Sequence, residues 1–153
     1  MRQIKTVKAN QDRVPKAFSE DISLESHQKA ANYTEAKMKL SNVSALVDAA
    51  LLLALTFGGI LNWFHDLSST TTSGTILSGL IFFGLIGLFI SLAQLPIDLY
   101  KTFVLEEKFG FNKMSLSLFF KDLMIGLAVS AIIGSIFIVG LLWVMQTAGI
   151  NWW

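Results

Sequence analysis

Hydrophobic positions gather into three long stretches, residues 43–64, 76–95 and 123–145, separated by polar segments. The second and third contain no Asp, Glu, Lys or Arg, and the first contains only Asp48. At about 1.5 Å per residue, about 20–23 residues of helix reach roughly 30–35 Å, the thickness of a bilayer's hydrocarbon core. A chain of 153 residues is too short to bury three helices that are apolar on every face. The pattern predicts an all-α integral membrane protein with three transmembrane helices.

The remaining segments are polar but patterned. Residues 1–42 form an arm holding eight Lys/Arg and five Asp/Glu, with no apolar core of the kind a signal peptide needs. Within it, 23–40 reads as a helix. Ser23 is placed to cap it, Glu25 lies in its first turn, and Glu25–Lys29 and Glu35–Lys39 are i,i+4 pairs in the favourable order. The first connection, 65–75, is short and rich in Ser and Thr, and reads as an exposed loop. The second, 96–122, carries apolar anchors at helical spacing among charges and reads as an interfacial helical loop. Gly110 is placed to end one helix and Ser115 to cap the next.

Charge orients this arrangement. All twelve basic residues sit in the arm or the second connection. Three spans put those two regions on one side, and the positive-inside rule makes that side cytoplasmic. The domains expected are therefore a cytoplasmic arm with a helix, 1–42, and a three-span membrane domain, 43–153, with loop 96–122 cytoplasmic. The closing Trp152 and Trp153 suit a membrane interface.

Composition excludes several classes. The chain is 53% hydrophobic and 15% charged, and its net charge of +1 gives no basic field for nucleic acid. The lack of cysteine excludes disulfides and thiolate metal sites. Two histidines, His27 and His65, are too few for a multi-histidine metal site within the chain. There is no His-Glu-x-x-His helix, no Gly-x-Ser-x-Gly elbow and no phosphate-cradling loop, so no catalytic or metal-binding residue is assigned.

Among polar groups, Asp48 stands about two turns inside the first span. Two readings compete: a cavity or proton-relay carboxylate, and one near the headgroups that reaches water past Val43–Val47. Gln94, Asp98 and Gln146 at span ends read as interfacial. Gly126, Ser130 and Gly134 recur every four residues and suggest a helix-packing face.

The second connection is the distinctive part. Pro96, Tyr100, Phe103, Glu106 and Gly110-Phe111-Asn112, followed by Phe119-Phe120-Lys121-Asp122, closely resemble the signature of type I CAAX prenyl proteases, which are integral-membrane zinc metallopeptidases. In the arm, Val14-Pro15 with Phe18 and His27-Gln28-Lys29-Ala30-Ala31 with Tyr33 resemble the bacterial branch of that family. The resemblance covers essentially the whole chain.

It implies that these are spans two to four of a zinc metalloendopeptidase, forming part of the wall of an intramembrane chamber. An apolar span would precede the arm. A further span would lead to a catalytic domain of the same polypeptide carrying His-Glu-x-x-His, a downstream glutamate ligand and the zinc. The resemblance further implies a peptide substrate, the lipid bilayer as surroundings, and a bacterial inner membrane as location. On this reading the chain alone is inactive, and its signature residues are structural or docking residues. The rival readings are a non-catalytic membrane scaffold or partner-binding subunit, and a small transporter subunit using Asp48.

Overall fold

The computed structural model describes residues 2–15, 22–72 and 74–149, and side chains from residue 4 onward. Phe18, Trp152 and Trp153 lie outside these residues. All regular structure among them is helical: α1 (Arg2–Asn10), α2 (Leu24–Thr56), α3 (Ile60–Thr71), α4 (Thr75–Tyr100), a π-helical segment (Lys101–Glu106) and α5 (Leu116–Ala148). Among the described residues, three stretches are long and apolar enough to cross a membrane: Leu24–Thr56, Thr75–Glu106 and Leu116–Ala148. The all-helical, three-span architecture agrees with the hydrophobic pattern.

The boundaries of these helices differ from those of the apolar runs, and the reasons are local. Ser23 caps α2 as expected, its Oγ accepting from the Ser26 amide at 3.2 Å. The helix then continues through Ser41 and Asn42, so arm helix and first span are one element of 33 residues. The first run does not stay continuous to residue 64. The Gly58 amide reaches back to the Leu53 carbonyl at 3.2 Å, and Gly59 takes a left-handed φ of 76°. A side chain at Gly58 would collide with the Ala54 carbonyl oxygen. This pair of glycines ends α2 and starts α3.

The Ser/Thr-rich segment after residue 65 is helical up to Thr71, not an open loop. Its hydroxyls bond to carbonyls of their own helix: Ser68 to His65 at 2.8 Å, Thr70 to Asp66 at 3.0 Å, Thr71 to Leu67 at 2.6 Å. Side chains that usually compete with helical hydrogen bonding here join it. The fourth element likewise passes through Pro96, which lacks an N–H to donate, before turning π-helical. Neighbouring groups in membrane helices can compensate for such a loss.

The chain divides into two compact units, residues 1–49 with 94–113, and residues 50–93 with 114–153. In the first, α1 lies against α2, and Leu105 and Ala31 are the buried apolar residues. Lys8 and Lys39 both pair with Glu35, at 3.0 and 2.8 Å. Lys39 above all, then Lys8, holds that carboxyl below the ordinary carboxylate range. The pairing therefore contributes above the ordinary carboxylate pKa and fades as acid protonates Glu35. Glu25 and Lys29 form no ion pair within 4 Å, because Lys29 lies over the Phe111 ring.

In the second unit, Leu55, Phe64 and Ser68 are buried, and Phe64 meets Phe89 edge-on at 5.8 Å. A Cβ at Gly79 would stand 2.5 Å from Leu142 Cδ1, so the end of that side chain would have to turn aside. A Cβ at Gly126 or Gly134 would meet nothing within 4 Å, so the small-residue face of α5 is open in this chain. Neither α4 nor α5 has a buried residue; Ile136 and Phe137 are 68% and 74% exposed. Such surfaces need lipid or further protein around them.

Gly79→Val should destabilise the chain by about 1–3 kcal/mol through overpacking against Leu142. Gly84→Val, where space is open, should change stability by no more than about 0.5 kcal/mol. Thermal unfolding of both variants in one detergent checks the difference.

Candidate functional site

The signature segment forms the end of a helix and the turn beyond it. Pro96 lies inside α4 and Tyr100 is its last residue. Phe103 lies within the π-helical segment and Glu106 ends it. Gly110 follows with φ 74°. The Phe111 amide donates to the Glu106 carbonyl at 2.9 Å, and the Gly110 amide donates to the Glu107 carbonyl at 2.9 Å. These two bonds, closing across a left-handed glycine, make a Schellman termination. The spacing from Glu106 to Gly110 and Phe111 thus has a backbone cause. Only glycine takes the left-handed position without strain, and the preceding carbonyls are satisfied by the two residues that follow.

Asn112 secures the same turn. Its amide nitrogen donates to the Glu106 carbonyl at 3.3 Å, and its Nδ2 donates to Glu107 Oε2 at 2.9 Å. Ser115 then caps α5, accepting from the Leu118 amide at 3.2 Å. Gly110 and Ser115 therefore do what their sequence positions suggest.

This turn rests on the arm. Tyr33 of α2 meets Phe109 and Phe111 edge-on, with centroids 5.4 and 4.9 Å apart. Lys29 Nζ lies 5.7 Å from the Phe111 centroid, and Lys37 Nζ lies 5.8 Å from that of Tyr33. Edge-to-face rings capped by ammonium groups suit the quadrupoles of the rings. Further along the arm, His27 Nε2 donates to the Asn10 carbonyl at 3.0 Å, and Gln28 donates to Asp12 at 3.3 Å.

The structure gathers Glu106, Gly110, Phe111 and Asn112 into one turn, while Pro96 and Tyr100 lie upstream on α4. Asp48 lies elsewhere, bonded to Gln94 of α4, whose Nε2 donates to Asp48 Oδ1. Sequence reasoning treats Gln94 as an interfacial residue and misses this partnership; an amide and a carboxylate in two apolar runs are the available signal. It also misses the π-helical segment, which leaves no mark in residue periodicity. Among the described residues, no three His, Asp or Glu side chains are grouped to hold a metal. Those residues offer no ligand set for zinc.

Gly110→Ala should cost about 1 kcal/mol by forcing a Cβ into the left-handed region. A double-mutant cycle of Tyr33→Ala and Phe111→Ala should show about 0.5–1.5 kcal/mol of coupling for the ring pair. Thermal unfolding in detergent measures both.

Comparison with known proteins places this architecture. The family described as CAAX prenyl protease N-terminal, five membrane helices, matches residues 3–153. The CAAX prenyl protease 1 homolog of Arabidopsis thaliana is 29% identical over 143 residues, which is 89% of this chain and 34% of that protein. The homolog of Homo sapiens is 35% identical over 116 residues, 71% of this chain and 24% of that protein. The crystal structure of S. mikatae Ste24p superposes with a TM-score of 0.87 at 27% identity, covering 99% of this chain and 36% of that one. The chain spans about a third of the length of the Arabidopsis relative and of the Ste24p structure. It belongs to the CAAX prenyl protease N-terminal family and corresponds to the amino-terminal membrane region of those proteins.

Proposed function

We propose that the chain serves as the amino-terminal membrane portion of a membrane-bound zinc metalloendopeptidase. Its spans form part of the wall of an intramembrane chamber, and the zinc and the His-Glu-x-x-His helix belong to a catalytic domain of the same polypeptide. The observation that carries this reading is the match over residues 3–153 together with a TM-score of 0.87 to Ste24p. The substrate is a peptide. Zinc would supply an activated water there, and this chain's own part is to build and hold the wall.

The signature residues serve this role as structural ones. The Schellman turn and the Tyr33 contacts fix loop 96–122 to the arm 1–42, and 43–153 forms the membrane domain. The basic residues concentrated in those two regions support a cytoplasmic position for both. The arm sequence around His27 and Tyr33 supports the bacterial branch and a bacterial inner membrane, although the relatives matched above are eukaryotic.

The full gene product, purified in lipid, should cleave peptides in a way that a chelator abolishes and added zinc restores, while the 153-residue chain should show no cleavage. Loss of zinc-dependent cleavage from the full product would sink the proposal in favour of a non-catalytic membrane scaffold.

A further inference from the structure

A cavity of about 500 Å³ opens between the end of α3, the turn after it and the start of α4, with Leu142 of α5 also on its wall. All of its walls belong to the second unit. Hydroxyls dominate its polar side, and most have already used their protons. Ser68 and Ser69 donate to the His65 and Asp66 carbonyls at 2.8 and 3.0 Å, and Ser78 Oγ donates to Ser68 Oγ at 3.5 Å. A hydroxyl has one proton and two lone pairs, so these three serines have only lone pairs left to offer. Thr72 also lines the cavity, and its Oγ1 is buried with no hydrogen-bond partner among the described residues. Such an atom is a polar demand that the protein itself leaves unmet. No Lys or Arg lines the cavity; His65 does, 3.6 Å from the Asp66 carboxylate.

The backbone gives the cavity a polarity. α3 ends at Thr71 and α4 begins at Thr75, and both helix ends border the cavity through Thr72 and Thr75. The carbonyl end of a helix favours positive charge and the amide end favours negative charge. One edge of the cavity therefore suits a cation and the other an anion. The rest of the wall is apolar, made by Phe82, Phe83 and Leu142. These belong to helices long and apolar enough to cross a membrane. Residues 65–75 join two apolar runs, so this turn stands where the hydrocarbon meets the headgroups. The occupant that fits is a zwitterion with N–H donors, a phosphate beside them and a hydrocarbon tail.

We infer that the cavity holds the headgroup of a phosphatidylethanolamine lipid. Its ammonium donates to Ser69 and Ser78, its phosphate lies at the first amides of α4, and its acyl chains run along Phe82 and Phe83. Ser68 takes the Ser78 proton and so keeps the Ser78 oxygen an acceptor. The bilayer supplies this occupant at the depth where the cavity opens.

The test is native mass spectrometry of the full-length protein titrated with three lipids of matched acyl chains: phosphatidylethanolamine, phosphatidylcholine and phosphatidylglycerol. Phosphatidylcholine is the decisive comparison, since its trimethylammonium keeps the charge and the phosphate but has no N–H. Phosphatidylethanolamine should bind at least about ten-fold more tightly than phosphatidylcholine, because charge-assisted hydrogen bonds are lost in the latter. A Ser69→Ala/Ser78→Ala double variant should lose the preference. Thr70→Ala should keep it, since Thr70 bonds to the Asp66 and Leu67 carbonyls and does not line the cavity.

Equal affinity for the ethanolamine and choline lipids would overturn the proposal. Tightest binding of phosphatidylglycerol would overturn it as well, leaving an anion site only. A preference that survives in the double variant would place the lipid elsewhere on the protein. Failure to retain any of the three lipids would mean that further parts of the polypeptide fill the cavity, which also overturns it. The readout is binding, so each outcome stands whether or not the full-length protein cleaves peptides.

Discussion

Hydrocarbon offers no hydrogen bonds, and that absence governs this structure. Backbone donors and acceptors in the apolar runs must be satisfied within their own helices or by close neighbours. The irregular points of the chain, inside and outside the apolar runs, keep their polar groups paired in the same way. The Gly58 amide returns to Leu53 where α2 stops, and the hydroxyls of Ser68, Thr70 and Thr71 return to their own helix. Glu106 and Glu107 carbonyls are taken by Gly110 and Phe111 where the signature turn begins. Asp48, a polar side chain in the first apolar run, likewise takes its hydrogen bond from Gln94 of another helix.

The signature segment gains its meaning from that frame. Its sequence looks like a recognition motif, yet its most specific residues close a helix. Glycine supplies the left-handed angle, two amides cover the preceding carbonyls, and Asn112 ties the turn to Glu107. The aromatic residues on either side of the glycine then hold Tyr33. A conformation fixed by backbone needs and a surface fixed by ring packing are thus encoded in the same few positions.

Much of this was legible in the sequence because the bilayer leaves a strong imprint on composition. Three charge-poor runs predicted three spans, and Ser23, Gly110 and Ser115 announced their capping roles. The helix ends were harder to read. Gly58 and Gly59 lie inside the first apolar run, where hydropathy gives no sign of a break, and the hydroxyl-rich segment after residue 65 imitates a loop. Hydropathy reports where the chain prefers to be, and says little about where its backbone turns. Gln94 shows the same limit at the candidate site, since polarity at a span end has an interfacial explanation until a partner is known.

The π-helical segment Lys101–Glu106 adds a geometric consequence. A π turn accommodates an extra residue relative to an α turn, which rotates everything downstream by about 100°. Gln94, before it, engages Asp48, whereas Phe109, at the end of the helix that continues beyond it, engages Tyr33. One continuous rod can therefore address two positions on α2, separated by about four turns, with different sides of itself. The number of residues between the two contacts acts as a phase setting, and an insertion or deletion there would turn one contact away even if every side chain were kept.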